Sequence, residues 1–218
     1  RRLIARHAPT QTDTLRGDGQ RGSSQHEGTD TTMTTESSLI GRVTEMARTR
    51  RPDDLAFAGF VPAYLADLPE FDLDERLADD LYSASLAHFE LGRVRAPGST
   101  TVTVMSPDAD RDGWHSERSV VLIVTDKRPF LVDSVRMVLE RQQVGTHLLV
   151  HPMLAVGRDA DGRALGVCSL YDPAVADLPG TVAIEAWTLI EIDRCSAEAA
   201  EQLANGVKAA VDGVHRAV

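Results

Sequence analysis

The chain is poor in cysteine, lysine and aromatic residues: its 218 positions include two cysteines, two lysines and ten aromatics. Each scarcity excludes something. Cys168 and Cys195 fall in different expected strands with no metal-ligand spacing. That argues against a disulfide framework or a thiolate metal site, and reads both as small buried apolar side chains in a reducing cytoplasm. Lys127 and Lys208 sit in no recognisable substrate-binding pattern. Positive charge is also short, with a net charge of −10. A surface that tracks phosphates needs the opposite sign, so nucleic acid is not an expected partner. No apolar run approaches the length of a membrane span, and no signal-peptide core follows Arg1-Arg2, so no membrane is expected either. No glycine-rich dinucleotide fingerprint follows a strand, and the seven histidines form no nucleophile or metal constellation. Neither catalysis nor a metal site is expected in these residues. What remains, 42% hydrophobic and 26% charged, suits a soluble globular chain with one compact domain and appendages.

Residues 1–36 hold five arginines and five acids and almost nothing apolar after Leu3-Ile4. Such a segment cannot bury enough surface to offset its ordering entropy and is expected to be a disordered tail. Met33 opens MTTESSLIGRV, which reads as a natural start, leaving 1–32 to an upstream start or added sequence; N-terminal sequencing of the native protein decides this. A transit peptide fits poorly with Asp13, Asp18, Glu27 and Asp30.

Residues 37–98 read as a helical lead-in. Ser37-Ser38 can cap a helix whose stripe is Leu39, Ile40, Val43, Met46 and Ala47. A second helix spans 53–67, with a restart permitted at Pro62. A third runs from Asp74 to Leu91 on Leu77, Leu81, Ala84, His88 and Leu91. His88 reads as a core-edge residue rather than a ligand. Residues 99–218 read as a second unit. Thr101–Val104 alternates like a half-buried strand, and 106–116 is a loop. Asp108, Asp110 and Asp112 resemble part of a calcium loop, but its closing glutamate is missing.

The rest is organised around Ser119–Gln143. Val120–Val124 is a β-branched buried strand; Pro129 ends it; Leu131, Val135, Val138 and Leu139 then form one helical stripe. Thr146–Val156 follows as one long strand, 164–171 returns antiparallel after the Asp161-Gly162 turn, and 182–193 alternates. On that last strand Ile184, Ala186, Thr188 and Ile190 face one way, and Glu185, Trp187, Leu189 and Glu191 the other. Glu185, Glu191 and Asp193 read as a solvated or interface face, and His147 and His151 as satisfied core-edge residues. A helix over 197–212, capped by Ser196, completes the pattern. The order is βαββα, an α+β, ferredoxin-like antiparallel sheet with two helices on one face and its final strand missing. That strand either lies past Val218, or Thr101–Met105 fills part of the sheet. The lead-in helices, a second copy or further chain must cover the other face. The turn before the 131–141 helix presents free N–H groups and the positive end of a helix dipole, which suits a carboxylate, although local chemistry alone favours a plain β–α connection with no ligand.

Several stretches together carry a family likeness: Gly113-Trp114-His115-Ser116, SVVLIVTDKRPFLVDSV from Ser119, THLLVHPMLAVGRDADG from Thr146 and IEAWTLIEIDR from Ile184. They resemble the N-terminal region of the large NAD-specific glutamate dehydrogenases of bacteria, over roughly 53–216. Phe60–Leu68 and Leu81–Gly98 look like that family's lead-in. Lys127-Arg128 departs from it, standing where an acid and a methionine are usual. The resemblance implies an ACT-like regulatory and assembly domain of a cytoplasmic homo-oligomer. It also implies a catalytic domain far downstream in the same polypeptide, where NAD is used to oxidise L-glutamate to 2-oxoglutarate and ammonium. If the domain senses an amino acid, the effector is expected at the turn, among Asp126, Pro129, Phe130, Leu131, Val132, Asp133 and Ser134. Backbone N–H groups of 131–133 would hold its carboxylate, and Asp126 or Asp133 its ammonium. In a purely structural variant of the same reading, the sheet edge or a helix face packs on another subunit and no ligand binds. The alternative is a stand-alone ACT-like amino-acid sensor.

Overall fold

The computed structural model describes residues 38–66, 68 and 76–217, with side chains to residue 213. The expected tail over 1–36 and the Asp74 helix start lie outside the described residues. Among the described residues three helices come first: α1 (Leu39–Arg50), α2 (Leu55–Leu65) and α3 (Ala78–Gly92). Ser38 caps α1, its hydroxyl accepting from the Gly41 N–H, and Asp54 caps α2 through the Phe57 N–H. The restart allowed at Pro62 does not occur. α2 runs through the proline because Phe57, Phe60, Val61, Tyr64 and Leu65 are all buried on either side of it.

The strands are β1 (Thr101–Met105), β2 (Ser119–Asp126), β3 (Thr146–Val150), β4 (Met153–Arg158), β5 (Ala164–Ser169) and β6 (Thr181–Ile192). A short α4 (Ala109–Asp112) interrupts the expected 106–116 loop; α5 (Leu131–Arg141) joins β2 to β3, and α6 (Ala197–Ala217) follows β6. The sheet order is β1-β2-β6-β4-β5, with β3 also paired to β6, and every pairing is antiparallel. The expected single strand over 146–156 is broken at His151-Pro152, and its halves pair with different parts of the twelve-residue β6. Proline has no N–H to give a ladder, yet its carbonyl still accepts from the Trp187 N–H, so β6 passes the break unbroken. β1 takes the edge beside β2, the place a closing strand takes in βαββαβ order.

The sheet has a helix layer on each face. Val121, Ile123, Ala186, Ile190 and Ile192 pack against Leu131, Val135 and Leu139 of α5 and Leu203, Val207 and Val211 of α6. Val120, Leu122, Val124, Trp187 and Leu189 pack against α1–α3. Of the three expected covers for that face, the lead-in helices provide it. Trp187 is at its centre, within 5.3 Å of the Phe60 and His88 rings, centroid to centroid. Gly92 closes the layer, since an added Cβ would lie 2.3 Å from the Trp187 ring.

His88 is fully buried rather than at the core edge. Its Nε2 lies 3.3 Å from the Ile123 carbonyl and its Nδ1 2.9 Å from the Tyr64 hydroxyl. A carbonyl only accepts, so Nε2 carries the proton and Nδ1 accepts from the tyrosine. The neutral ring satisfies both, tying α2 and α3 to β2. Burial, partly opposed by the Ile123 carbonyl, pushes the His88 pKa from 6.5 down to about 3.

Two stability tests follow from this core. Unfolded, His88 takes up a proton below pH 6.5; folded, it stays neutral to about pH 3. Its contribution is complete above pH 6.5 and falls as pH drops towards 3, a loss of about 2 kcal/mol at pH 5 relative to pH 7. Urea titrations at the two pH values should show this loss, and His88→Gln should flatten the difference. Gly92→Ala should lower the urea midpoint by overpacking against Trp187, a cost of about 1–3 kcal/mol.

Candidate functional site

The site is built at the end of β2. Asp126, the last residue of the strand, pairs across with Glu185 of β6, and the Lys127 N–H donates to the Ile184 carbonyl. The chain then turns through Arg128 and the exposed Pro129. Phe130 enters the left-handed region at φ 59°, ψ 14°, and α5 begins at Leu131 without a side-chain cap. The Ser134 N–H closes the first helical bond on the Phe130 carbonyl. Leu131 turns inward and is buried; Val132 and Ser134 are half-buried; Phe130 and Asp133 are exposed. Six of the seven expected site residues therefore form the rim or first turn of one helix start.

Asp126 plays another part. Its carboxylate accepts from Arg95 Nη2 at 2.5 Å and lies 3.6 Å from Arg128 Nη2. The same Arg95 nitrogen donates to Glu185 Oε1 at 2.7 Å. Arg158 grips Glu185 from the other side through two bonds, Nε to Oε1 at 2.6 Å and Nη2 to Oε2 at 2.9 Å. Glu185 and the Arg95 and Arg158 side chains are all at most 5% exposed. Burial works against the charge on Arg95, but the Glu185 and Asp126 carboxylates outweigh it and hold its pKa above the ordinary value. A chain of five charges thus runs Arg128–Asp126–Arg95–Glu185–Arg158, from the surface turn into the interior.

The alternation placed Glu185 and Glu191 on a solvated or interface face; both are instead buried within the fold, and this corrects it. Glu191 is 2.6 Å from Arg76 and 3.2 Å from Arg118. The signal was present, because both glutamates share a face with Trp187 and Leu189, and a carboxylate there requires a cationic partner. What the sequence did not reveal was the location of that partner. Arg95 is set by a short bridge between 94 and 163, in which the Arg95 N–H donates to the Gly162 carbonyl and the Ala164 N–H to the Arg93 carbonyl. Asp193, grouped with the two glutamates, is exposed and accepts from the Gly145 N–H and from His147.

The other expected candidates have local roles. His147 bonds Asp193 and His151 bonds Thr188 Oγ1, so the two histidines work apart. Asp108 caps α4 through the Asp110 and Arg111 N–H groups, and Asp112 accepts from the Asp108 N–H and from Arg111. Cys168 is buried in β5; Cys195 lies past the end of β6, half-buried beside Ser119. A small, partly open cavity between α2–α3 and the sheet, lined by Tyr64, Ser85, Trp114 and Glu191, has a volume of about 20 Å³. That is room for about one water and not for an amino acid. Among the described residues no helix is long and apolar enough to cross a membrane.

The antiparallel sheet, the α5–α6 pair on one face and the uncapped turn after β2 define an ACT-like α+β domain. Residues 60–207 match the family described as glutamate dehydrogenase, ACT1 domain, and the chain belongs to that family. Its relatives include the NAD-specific glutamate dehydrogenase of Halomonas elongata, 34% identical over 160 residues, and that of Pseudomonas aeruginosa, 31% identical over 125 residues. These alignments cover 72% and 57% of this chain but 10% and 7% of the relatives, so the chain spans about a tenth of their length.

The buried charges give a direct test. Glu185→Gln leaves Arg95 and Arg158 without their shared counter-charge, and thermal or urea unfolding should register a loss of about 3–5 kcal/mol.

Proposed function

We propose that the chain is the N-terminal regulatory and assembly segment of an NAD-dependent glutamate dehydrogenase. The parent enzyme is read as a cytoplasmic homo-oligomer that converts L-glutamate, NAD and water to 2-oxoglutarate, ammonium and NADH, with catalysis downstream of this segment. The observation that carries the reading is the family match over 60–207 in a chain that spans about a tenth of its relatives. NAD does not fit the residues here. A pyrophosphate needs a glycine-rich turn at a helix N-terminus so that the backbone can come close, whereas the β2–α5 turn is Lys127-Arg128-Pro129-Phe130 and the β6–α6 connection is Asp193-Arg194-Cys195-Ser196.

As a regulatory segment, the domain takes an amino-acid effector at the β2–α5 turn. The N–H groups of Leu131, Val132 and Asp133 receive its carboxylate. Asp133 takes its ammonium, since Asp126 is held by Arg95 and Arg128. Pro129, Phe130 and Ser134 border it.

An antibody against 119–143 should detect a native polypeptide several times larger than 23.7 kDa. A band at that mass would instead make the protein a stand-alone amino-acid sensor. Saturating amino acids should raise the thermal midpoint and shift the backbone amide resonances of 126–134; unchanged values would sink the effector site. Glutamate-dependent NADH formation by the 218-residue chain alone would overturn the placement of catalysis downstream.

A further inference from the structure

Two side chains on the lead-in side of the sheet are buried with their polar atoms unpaired. Ser85 of α3 is 0% exposed, and Trp114, in the connection between α4 and β2, is 5% exposed. Among the described residues neither the Ser85 hydroxyl nor Trp114 Nε1 has a hydrogen-bond partner. An indole N–H can only donate, and a hydroxyl both donates and accepts. Buried groups of this kind are satisfied by protein or by ordered solvent.

Both residues line the small cavity between α2–α3 and the sheet, together with Glu191 of β6 and Tyr64 of α2. Those two still have acceptor capacity. Glu191 accepts from Arg76 on Oε1 at 2.6 Å and from Arg118 on Oε2 at 3.2 Å. A carboxylate has about four lone-pair sites, so bonding positions remain on it. Tyr64 gives its proton to His88 Nδ1, and its oxygen can still accept.

This lining restricts what the cavity can hold. A cation would face the Trp114 N–H, and the Glu191 charge is already balanced by Arg76 and Arg118. An anion would face the Glu191 carboxylate. An apolar occupant would leave Ser85 and Trp114 unpaired. A neutral molecule that both donates and accepts suits all four residues. A water needs about 10–15 Å³ and two to four polar partners. The cavity, at about 20 Å³, offers room for one.

We infer that this cavity is the site of one structural water, which accepts from Trp114 Nε1, donates to Glu191 and makes its remaining bonds with Ser85 and Tyr64. The water ties α3, the α4–β2 connection and the end of β6 together at one point. The two buried glutamates of β6 are thereby completed in different ways. Two arginines enclose Glu185. Glu191 has two arginines and the water. The inference stands apart from the regulatory reading, and neither depends on the other.

The test uses the 218-residue chain, whose two tryptophans supply a probe and a control. Trp187 Nε1 is also buried and unpaired, but Trp187 is not among the residues lining the cavity. In a rotating-frame Overhauser spectrum the Trp114 indole proton should give a dipolar cross-peak to water, and the Trp187 indole proton none. Trp114→Phe, which keeps a buried ring, assigns the signal by removing it. Ser85→Ala should leave the cross-peak in place; its loss would make the serine hydroxyl, and not a water, its source. Should either variant fail to fold, a high-resolution crystal structure of the unsubstituted chain decides. It should show a single solvent peak within about 3.2 Å of Ser85 Oγ, Trp114 Nε1 and a Glu191 oxygen. No cross-peak at Trp114, equal cross-peaks at both indoles, or density that touches only one of these three atoms would overturn the inference.

Discussion

A fully buried carboxylate in the central strand governs this structure. Glu185 lies in β6, between strands on both sides and helices on both faces. In that setting a lone charge is untenable, and two guanidinium groups enclose it. Their remaining nitrogens bind the surroundings together. Arg158 also donates to the carbonyls of Gly92 and Gly162, at the end of α3 and in the β4–β5 turn. Arg95 also donates to the Ser99 carbonyl and to Asp126. One carboxylate thereby sets the joint between the helical lead-in, the hairpin and the β2–α5 turn. Each element is short, and none could hold this alignment alone.

The charge chain also separates two tasks that one sequence motif seemed to combine. Asp126 belongs to the scaffold, because its carboxylate is the outer end of a buried network. Phe130–Ser134 belongs to the surface, where an uncapped helix start presents N–H groups and one exposed acid. The position of the turn is thus fixed from beneath by charge, while its upper side is left to whatever approaches it.

Much of this was legible in the residues. The β-branched run at Val120–Val124, the change to helical period at Leu131 and the alternation from Val182 each follow from local chemistry, and each forms the expected element. The face of β6 that carries Trp187 was separated correctly from the face that carries Ile190. Its environment was not, because alternation tells which residues share a face and says nothing of what covers it. Arg95 lies 90 residues from Glu185, and Arg158 lies 27 residues away. Pairings at that separation exist only once the fold has formed, so no local pattern announces them. His88 was misplaced for the same reason, since its burial depends on Trp187 and Ile123 arriving from the sheet. The left-handed Phe130 had no signal at all, for aromatic residues rarely adopt that conformation.

The position of β6 has a consequence for how the domain comes into being. It is the last strand in the chain and the middle strand of the sheet. While the polypeptide is being made, β1 with β2 and β4 with β5 can each close as local hairpins, but the two pairs have nothing between them. Each waits with an open side until residues 181–192 arrive, and exposed strand edges are where chains associate wrongly. The lead-in helices α1–α3 precede all of this, and they already carry the apolar face against which the hairpins can rest. Placing them first gives the nascent chain its own temporary shelter, and the insertion of one strand then converts three loose pieces into a single cooperative body.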